Sequence, residues 1–299
     1  MNNVENALSS DENIWVVLPT HDRKELLRES LTALRTQTHK PAHVLVVLNA
    51  SPPEVTLMLE SEFPEIELLR LDKNLGSAGG FHFGIKRALE AGAGWVWLMD
   101  DDAIAEPDSL ERLLTALKQV EVFSPDPDIL LSRVVWTDGR IHPMNFPWLD
   151  WRRLPLLWKA LNWGFLLVRS GAWAGMLVRT SAVQRHGLPI KDYFVWCEDL
   201  DFSGRILRRG VGYWVFDSVV VHKTKGPTAA VGDYGERFFF EVRNRIWLLR
   251  SNAFGVLGKL AWTIHFAGEL LFYLWATRGK GLGVVRRGFV SGFRSKPKE

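Results

Sequence analysis

Short apolar segments alternate with segments of helical pattern through the first 120 residues, and this alternation restricts the fold more than any other feature. Leucines recur at helical spacing within 24–36, and residues 80–91 and 107–120 also have a helical pattern. Strands that alternate with helices predict an α/β fold with a mostly parallel sheet covered on both faces. The apolar segments are residues 14–18, 44–48, 66–71 and 95–99.

A triplet of aspartates, Asp100, Asp101 and Asp102, directly follows the fourth apolar segment. The loops after parallel strands meet at one edge of a sheet, where such sheets bind ligands. Adjacent carboxylates repel one another and burial adds a desolvation penalty, so the triplet requires positive charge nearby. A hard divalent cation would supply this positive charge, and a diphosphate could fill the rest of the coordination shell of the cation. An acidic turn that caps a helix is the alternative.

Residues 74–92 form a glycine-rich segment between the third apolar segment and a predicted helix. Gly76, Gly79 and Gly80 allow the backbone to approach a ligand closely, and a helix N-terminus favours an anion. The segment matches neither the dinucleotide fingerprint nor a phosphate-binding loop with Gly-Lys-Ser/Thr. A tight strand-to-helix turn is the alternative.

Two adjacent carboxylates, Glu198 and Asp199, follow an apolar stretch that ends in Trp196 and Cys197. In a partly dry cleft, one of two neighbouring carboxyl groups has a raised pKa, which suits a general base. Carboxylates at the start of a helix are also favoured by the helix dipole, so a structural role is the alternative.

The second half of the chain contains fewer regular patterns. Residues 171–179 and 213–222 are predicted strands, 181–186 and 200–209 are predicted helices, and 123–167, rich in Trp and Pro, is predicted to be irregular. His222 ends the last predicted strand, and Lys223 and Lys225 follow it. An imidazole there could complete a metal shell begun by aspartates, with the lysines on phosphate oxygens. A structural histidine is the alternative.

Composition indicates the cellular environment of the protein, and the distribution of charge divides the chain into two parts. The 299 residues include one cysteine, Cys197, which suits a reducing, cytosolic environment. The polar start of the chain predicts no signal peptide. Net charge is +3, yet residues 236–299 contain twelve Lys/Arg against four Asp/Glu. We therefore expect a body at 1–235 and a distinct, basic C-terminal segment at 236–299.

The C-terminal segment has an apolar stretch, residues 253–277, that is about one bilayer span long. Lys259, His265 and Glu269 interrupt it and lie on one side of a helical wheel. This pattern predicts a helix that lies in a membrane interface or packs on the body rather than crossing lipid. The basic residues that follow suit an anionic membrane surface. A helix covering the sheet or forming a dimer is the alternative.

Several motifs in fixed order give the chain a resemblance to a known family. They are VVLPTHDR…LTALRTQT, VVLNAS, NLGSAGG, WLMDDDA, SGAWAGMLVRTSAV…GLP, DYFVWCEDLDFSGRI, the strand-end His222, and FFFEVRNR. This set resembles family 2 glycosyltransferases, and within them the bacterial galactofuranosyl- and rhamnosyl-transferases that extend lipid-linked cell-envelope glycans. The resemblance covers about residues 14–250 and implies the GT-A fold, a Rossmann-like nucleotide-binding sheet, with C-terminal amphipathic helices beyond it.

The resemblance also implies roles for individual residues. Asp100, Asp102 and His222 would hold Mn²⁺ or Mg²⁺ against the donor diphosphate, and Asp199, with Glu198 beside it, would be the catalytic base. Trp196 would contribute to the acceptor site. The residues that would bind a UDP- or dTDP-linked donor sugar are Thr20, Asp22, Arg23, Asn49, Asn74, Gly76 and Asp100. The reaction implied is inverting transfer to a hydroxyl of a lipid-linked glycan at the cytoplasmic face of the cell membrane.

One departure from the family pattern affects the donor base. The second strand of the family usually ends in Asp-Asn, whereas this chain has Leu48 before Asn49. A leucine cannot accept a hydrogen bond from a base imide, so the nucleoside of the donor can be uridine or thymidine. A non-catalytic glycan- or membrane-binding relative is the competing function. The acidic body and the lack of a recognised nucleic-acid motif predict no nucleic-acid partner.

Overall fold

The computed structural model describes residues 13–124, 126–226 and 235–298. The strands are β1 (Ile14–Thr20), β2 (His43–Asn49), β3 (Glu67–Leu71), β4 (Trp95–Leu98), β5 (Ala103–Ala105), β6 (Ile129–Val135), β7 (Trp148–Leu149), β8 (Leu166–Ser170), β9 (Met176–Arg179) and β10 (Gly212–His222). The helices are α1 (Lys24–Arg35), α2 (Pro53–Glu62), α3 (Gly76–Glu90), α4 (Ser109–Glu121), α5 (Leu154–Asn162), α6 (Thr180–His186), α7 (Glu198–Ile206), α8 (Phe238–Arg250), α9 (Val256–Ala276) and α10 (Leu282–Arg294). The polar start of the chain lies outside the described residues.

The strands form one sheet in the order β3-β2-β1-β4-β9-β6-β10-β8-β7, with β5 paired to β10. The half formed by β3, β2, β1 and β4 is entirely parallel, as is the pair of β6 and β10. The remaining pairs are antiparallel. The predicted α/β class, a largely parallel sheet with flanking helices, is confirmed.

The sheet is buried on both faces, which explains the uninterrupted apolar runs. In β4, Trp95 and Trp97 pack into the core on one face, whereas Val96 and Leu98 pack into the core on the other. Adjacent residues of a strand point to opposite faces, so a strand covered on both sides needs apolar residues at every position. The first core contains α1, α2 and α4, and the second contains α3, α6 and α7.

Several predicted element boundaries are wrong. Residues 123–167 are not irregular: they contain β6 in the sheet interior, β7, α5 and the start of β8. The helix predicted at 80–91 begins four residues earlier, at Gly76, so most of the glycine-rich segment lies within this helix. The short β5 was not predicted because three residues carry too little pattern to distinguish a strand from a turn.

The C-terminal helices pack on the body through shared apolar clusters. Trp247 and Leu248 of α8 belong to a buried cluster that also contains Ala78, Tyr193 and Cys197. Contacts therefore cross the predicted boundary at residue 235. Among residues 13–124, 126–226 and 235–298, no helix is long and apolar enough to cross a membrane.

Candidate active site

Strand pairing brings the aspartate triplet against His222. β4 ends at Leu98, the chain turns through the aspartates, and β5 then pairs antiparallel with the end of β10. In this register Ala103 lies opposite His222, and the Lys223 backbone N–H donates to the Asp102 carbonyl at 2.8 Å. Asp102 and His222, which are 120 positions apart in the sequence, thus face each other because the pairing of β5 with β10 fixes the turn between β4 and β5.

Asp100, Asp102 and His222 converge on one point. His222 Nε2 lies 3.0 Å from Asp102 Oδ1 and 3.9 Å from Asp100 Oδ2. The other ring nitrogen, Nδ1, lies 2.8 Å from Asn145 Oδ1 and therefore donates its proton to that amide oxygen. This second hydrogen bond fixes the ring so that Nε2 faces the two carboxylates.

Asp101 and Arg23 complete the charge balance of the triplet. Thr20 Oγ1 donates to Asp101 Oδ2 at 2.8 Å, and Arg23 Nη1 donates to Asp101 Oδ1 at 3.1 Å. The same Arg23 nitrogen also donates to Asp102 Oδ2. The sequence assigned no role to Asp101, whereas the structure makes it the residue that ties the loop after β1 to the triplet. Arg23 and His222 supply the positive charge that the three carboxylates require.

Burial and neighbouring charges give the three aspartates different pKa values. Burial raises the pKa of Asp100 to about 7, with the charge of His222 opposing and the other aspartates adding to the rise. Burial likewise raises the pKa of Asp101 to about 6, with Arg23 opposing. Burial opposes ionisation of Asp102, but the hydrogen bond and charge of His222 together with the charge of Arg23 hold the pKa of Asp102 below its usual range.

The side chains of Asp100, Asp102 and His222 have the chemistry to bind a hard divalent cation, but Asp102 and His222 are hydrogen-bonded to each other. Within the described parts of the chain, no group of three or more His, Cys, Asp or Glu side chains is arranged to hold a metal ion. Both oxygens of Asp102 are engaged, one by Arg23 and one by His222. Two carboxylates and an oriented imidazole nevertheless match the oxygen and nitrogen preferences of Mn²⁺ or Mg²⁺.

Glu198 and Asp199 open α7 but differ in their surroundings. The Glu198 side chain is buried, and its Oε1 accepts from the Ser77 hydroxyl and from Trp173 Nε1 at 3.4 Å. Asp199 is less enclosed, and its Oδ1 accepts from the Leu200 N–H at 2.7 Å. Burial and the charge of Glu198 raise the pKa of Asp199 well above its ordinary value, and the charge of Asp100 adds to this rise.

The predicted donor residues cluster at the ends of β1 and β2. Asn49 is buried; its Nδ2 donates to Asn74 Oδ1 at 3.2 Å and to the Gly76 carbonyl at 2.9 Å, and its Oδ1 accepts from the Leu75 N–H at 2.8 Å. The amide of Asn49 thus shapes the loop before α3. Gly76 has φ +68°, and a Cβ there would lie 1.9 Å from the Phe194 carbonyl oxygen.

The remaining predicted residues lie around this edge, and several residues were not predicted. Asp22 is exposed beside Arg23, and the Trp196 ring is half-buried with the Arg237 guanidinium 5.1 Å from its centroid. Residues that were missed are Ser77, Asp101, Asn145, Trp173 and Asn244. The place of Asp101 in the triplet was a signal in the sequence. The other four residues contact partners that are far away in the sequence, so no local pattern indicated them.

Comparison with known proteins identifies the family. The model of glycosyl transferase family 2 matches residues 15–168. Galactofuranosyltransferase GlfT1 of Mycolicibacterium smegmatis is 32% identical over 213 residues, which cover 69% of this chain and 69% of the relative. Galactofuranosyltransferase GlfT1 of Mycobacterium tuberculosis is 30% identical over 252 residues, with 80% of this chain and 82% of the relative covered. The chain belongs to glycosyl transferase family 2 and is a glycosyltransferase.

Solved structures agree with the fold at low sequence identity. Residues 1–349 of Staphylococcus aureus TarS, in complex with UDP, superpose with a TM-score of 0.59 at 16% identity, covering 90% of this chain and 74% of TarS 1–349. The chain spans 43% of a longer TarS structure. GalNAc-T7, solved with UDP, GalNAc and Mn²⁺, gives a TM-score of 0.55 at 11% identity, covering 92% of this chain and 57% of GalNAc-T7.

Proposed function

We propose that the protein transfers a sugar, galactofuranose or otherwise rhamnose, from a nucleoside-diphosphate donor to a hydroxyl of a lipid-linked cell-envelope glycan. The relatives named as galactofuranosyltransferases support this choice of sugar. The observation that carries the proposal is the site itself. Asp100, Asp102 and His222 converge at 3.0–3.9 Å, and the charge of Asp100 contributes to the raised pKa of Asp199.

The donor would lie along the edge formed by the ends of β1, β2 and β4. Thr20 ends β1 and Asp22 and Arg23 follow it, and the α3 N-terminus with Asn74 and Gly76 lies beside this strand end. The Arg23 guanidinium is suited to an anionic diphosphate. The nucleotide is uridine or thymidine diphosphate, and solved neighbours with UDP support the former.

Asp199 would act as the catalytic base in a single displacement. It accepts the proton of the acceptor hydroxyl while that oxygen attacks the anomeric carbon from the face opposite the diphosphate. The bond between the anomeric carbon and the diphosphate breaks as the new glycosidic bond forms, so the configuration inverts. The raised pKa of Asp199 makes it a stronger base than an exposed aspartate. Trp196 precedes it and would present an aromatic face to the acceptor.

Asp100, Asp102 and His222 are the residues that would hold a divalent cation, Mn²⁺ or Mg²⁺. The GalNAc-T7 structure with Mn²⁺ supports a metal in this fold. When bound, such an ion supplies Lewis-acid stabilisation of the departing diphosphate. The chain's own contribution is to orient the His222 ring through Asn145 and to keep Asp102 ionised.

A panel of nucleotide sugars tests the proposal. We expect the full-length protein to release nucleoside diphosphate from UDP-galactofuranose or a dTDP-rhamnose donor in the presence of Mn²⁺ or Mg²⁺, and not from purine-nucleotide sugars. Product release is followed by a coupled assay, and donor binding is followed by thermal shift. Binding of a donor without any turnover would favour the competing proposal of a non-catalytic glycan- or membrane-binding relative.

We also propose that residues 1–235 form the catalytic domain and that 236–299 hold it at the inner face of the cell membrane. One side of α9 packs on the protein: Trp262, Phe266 and Tyr273 are buried. On the same side, Glu269 pairs with Arg245 at 3.0 Å. The opposite side exposes Leu257 (82%), Leu271 (70%) and Trp275 (76%). Exposed apolar residues beside basic ones suit an anionic lipid surface.

Flotation with liposomes tests the membrane proposal. We expect the wild-type protein to float with anionic vesicles, and the triple variant Leu257→Ser, Leu271→Ser and Trp275→Ser to lose at least ~100-fold in partitioning, since each buried side chain contributes roughly 1.5–3 kcal/mol. Leu57→Ser on α2, where Leu57 is 65% exposed, is the matched control. Equal flotation of the triple variant and the wild-type protein would rule out α9 as the membrane contact.

A further inference from the structure

We propose that Asn244 is a positioning residue for the transfer reaction, because it holds the backbone of residues 193–197 that leads into Asp199. The inference rests on the proposed function, since it concerns the base of that reaction. Asn244 lies in α8, within the motif RNR, for which the sequence alone suggested no role.

The loop at 193–197 adopts a backbone that its residues do not favour. Phe194, Trp196 and Cys197 have φ of 67°, 68° and 67°, and none of them is glycine. Side chains with a Cβ are strained in this left-handed region, and such residues persist when their surroundings fix them. Strain of this kind concentrates at functional sites. Here the strained residues directly precede Glu198 and Asp199, at the start of α7.

The Asn244 side chain is fully buried and points its amide at the carbonyls of this loop. Nδ2 lies 2.9 Å from the Tyr193 carbonyl oxygen, 2.7 Å from that of Val195 and 2.9 Å from that of Trp196. Its Oδ1 accepts from Arg243 Nε at 2.9 Å, which orients the amide. The amide supplies two N–H groups to be shared among these carbonyls. The Tyr193 carbonyl also accepts from Arg243 Nη2 at 2.9 Å, whereas Asn244 is the side chain that reaches the carbonyls of Val195 and Trp196.

The opposite side of the loop is held by α3. The Phe194 carbonyl accepts from the Ala78 N–H at 3.2 Å and lies against Gly76, where a Cβ would clash. The loop is therefore clamped between the donor-side helix and α8, with Asn244 as the buried side chain of the second contact. Rotation of the loop would move Trp196 and the start of α7, which carries Glu198 and Asp199.

Asn244 also occupies a place where packing alone would favour an apolar residue. Its neighbours in α8, Trp247 and Leu248, are part of the buried cluster that contains Tyr193 and Cys197. That cluster can join α8 to the body without an amide. The specific contribution of Asn244 is the hydrogen bonding to the strained loop, so its loss should affect the base more than the fold.

The test compares full-length Asn244→Asp and Asn244→Ser with the wild-type protein. Aspartate has the same shape but presents oxygen atoms to three carbonyl oxygens, whereas serine keeps one donor. We expect Asn244→Asp to lower kcat for transfer at least tenfold, with donor KM within about threefold, and Asn244→Ser to be intermediate. Deuterium exchange of the 193–199 amides should be faster in both variants. The acid limb of the kcat pH profile should shift, because a displaced start of α7 changes the surroundings of Asp199.

Arg250→Gln is the control for a general weakening of α8. Arg250 Nη1 donates to the Gly292 and Phe293 carbonyls at 2.7 and 3.2 Å, on the side of α10. We expect a lower Tm with unchanged kcat and an unchanged pH profile. If Asn244→Asp does not fold, Asn244→Ser decides the outcome with the same measurements.

The outcomes separate this inference from the proposed function. Faster exchange at 193–199 with wild-type kcat and pH profile in the Asn244 variants would overturn the positioning role. The positioning role would also be overturned if Arg250→Gln changed kcat and the pH profile as much as the Asn244 variants do. Absence of transfer by the wild-type protein from every donor in the panel overturns the proposed function itself, before any variant is measured.

Discussion

Asp199→Asn is expected to reduce sugar transfer by roughly 10²–10⁴-fold, the usual contribution of a general base, while the protein keeps its fold. Asparagine preserves the shape of the side chain and can still accept from the Leu200 N–H, but it cannot take up a proton at neutral pH. Donor binding should be nearly unchanged, because the donor residues lie on other elements. The measurements are kcat for transfer, donor KM and thermal unfolding.

The pH dependence of the wild-type protein supplies a second readout of the same base. Burial and the charge of Glu198 raise the pKa of Asp199. A base acts in its ionised form, so kcat/KM should fall about tenfold per pH unit below that raised pKa. The acid limb therefore begins at a higher pH than a free aspartate would give. Asp217→Asn, at an exposed position of β10, is the control and should leave the profile unchanged. Near-full transfer by folded Asp199→Asn would remove Asp199 from the base role.

The sequence predicted the parallel half of the sheet because its interior strands, β1, β2 and β4, are buried on both faces. In β4, two core clusters take alternate residues, so a run without polar interruption was required. The same reasoning should have identified β6, whose residues 129–135 are almost all apolar or small. The surrounding Trp- and Pro-rich composition concealed that strand, which lies in the sheet interior between β9 and β10.

The sequence predicted the metal-site candidates because they stand at strand ends. Asp102 and His222 were paired on that ground, and the structure places them 3.0 Å apart. Their orienting partner Asn145 and the clamp residue Asn244 could not be predicted, because each acts through a contact 48–77 residues away in the sequence. A polar residue in a loop or helix gives no local signal of such a distant partner.

The aspartate triplet gives the second large expected effect, a contrast between Asp102→Asn and Asp101→Asn. Asp102→Asn should abolish the Mn²⁺-induced rise in Tm measured with UDP present, and lower transfer by ~10²-fold or more. A ligand at 100 times its Kd stabilises by about 2.7 kcal/mol, so the wild-type shift should be several degrees. The asparagine loses the charge that His222 Nε2 and Arg23 now share.

Asp101→Asn is the matched control, since it removes the same charge one residue away. Asp101 bonds Thr20 and Arg23 and has no proposed ligand role, so its variant should retain most of the Mn²⁺ shift. We expect it instead to lower the free energy of unfolding by roughly 1–3 kcal/mol, because a buried hydrogen-bonded charge pair is weakened. Equal loss of the Mn²⁺ shift in both variants would mean that the triplet binds the ion through its summed charge. An unchanged shift in Asp102→Asn would exclude Asp102 as a ligand.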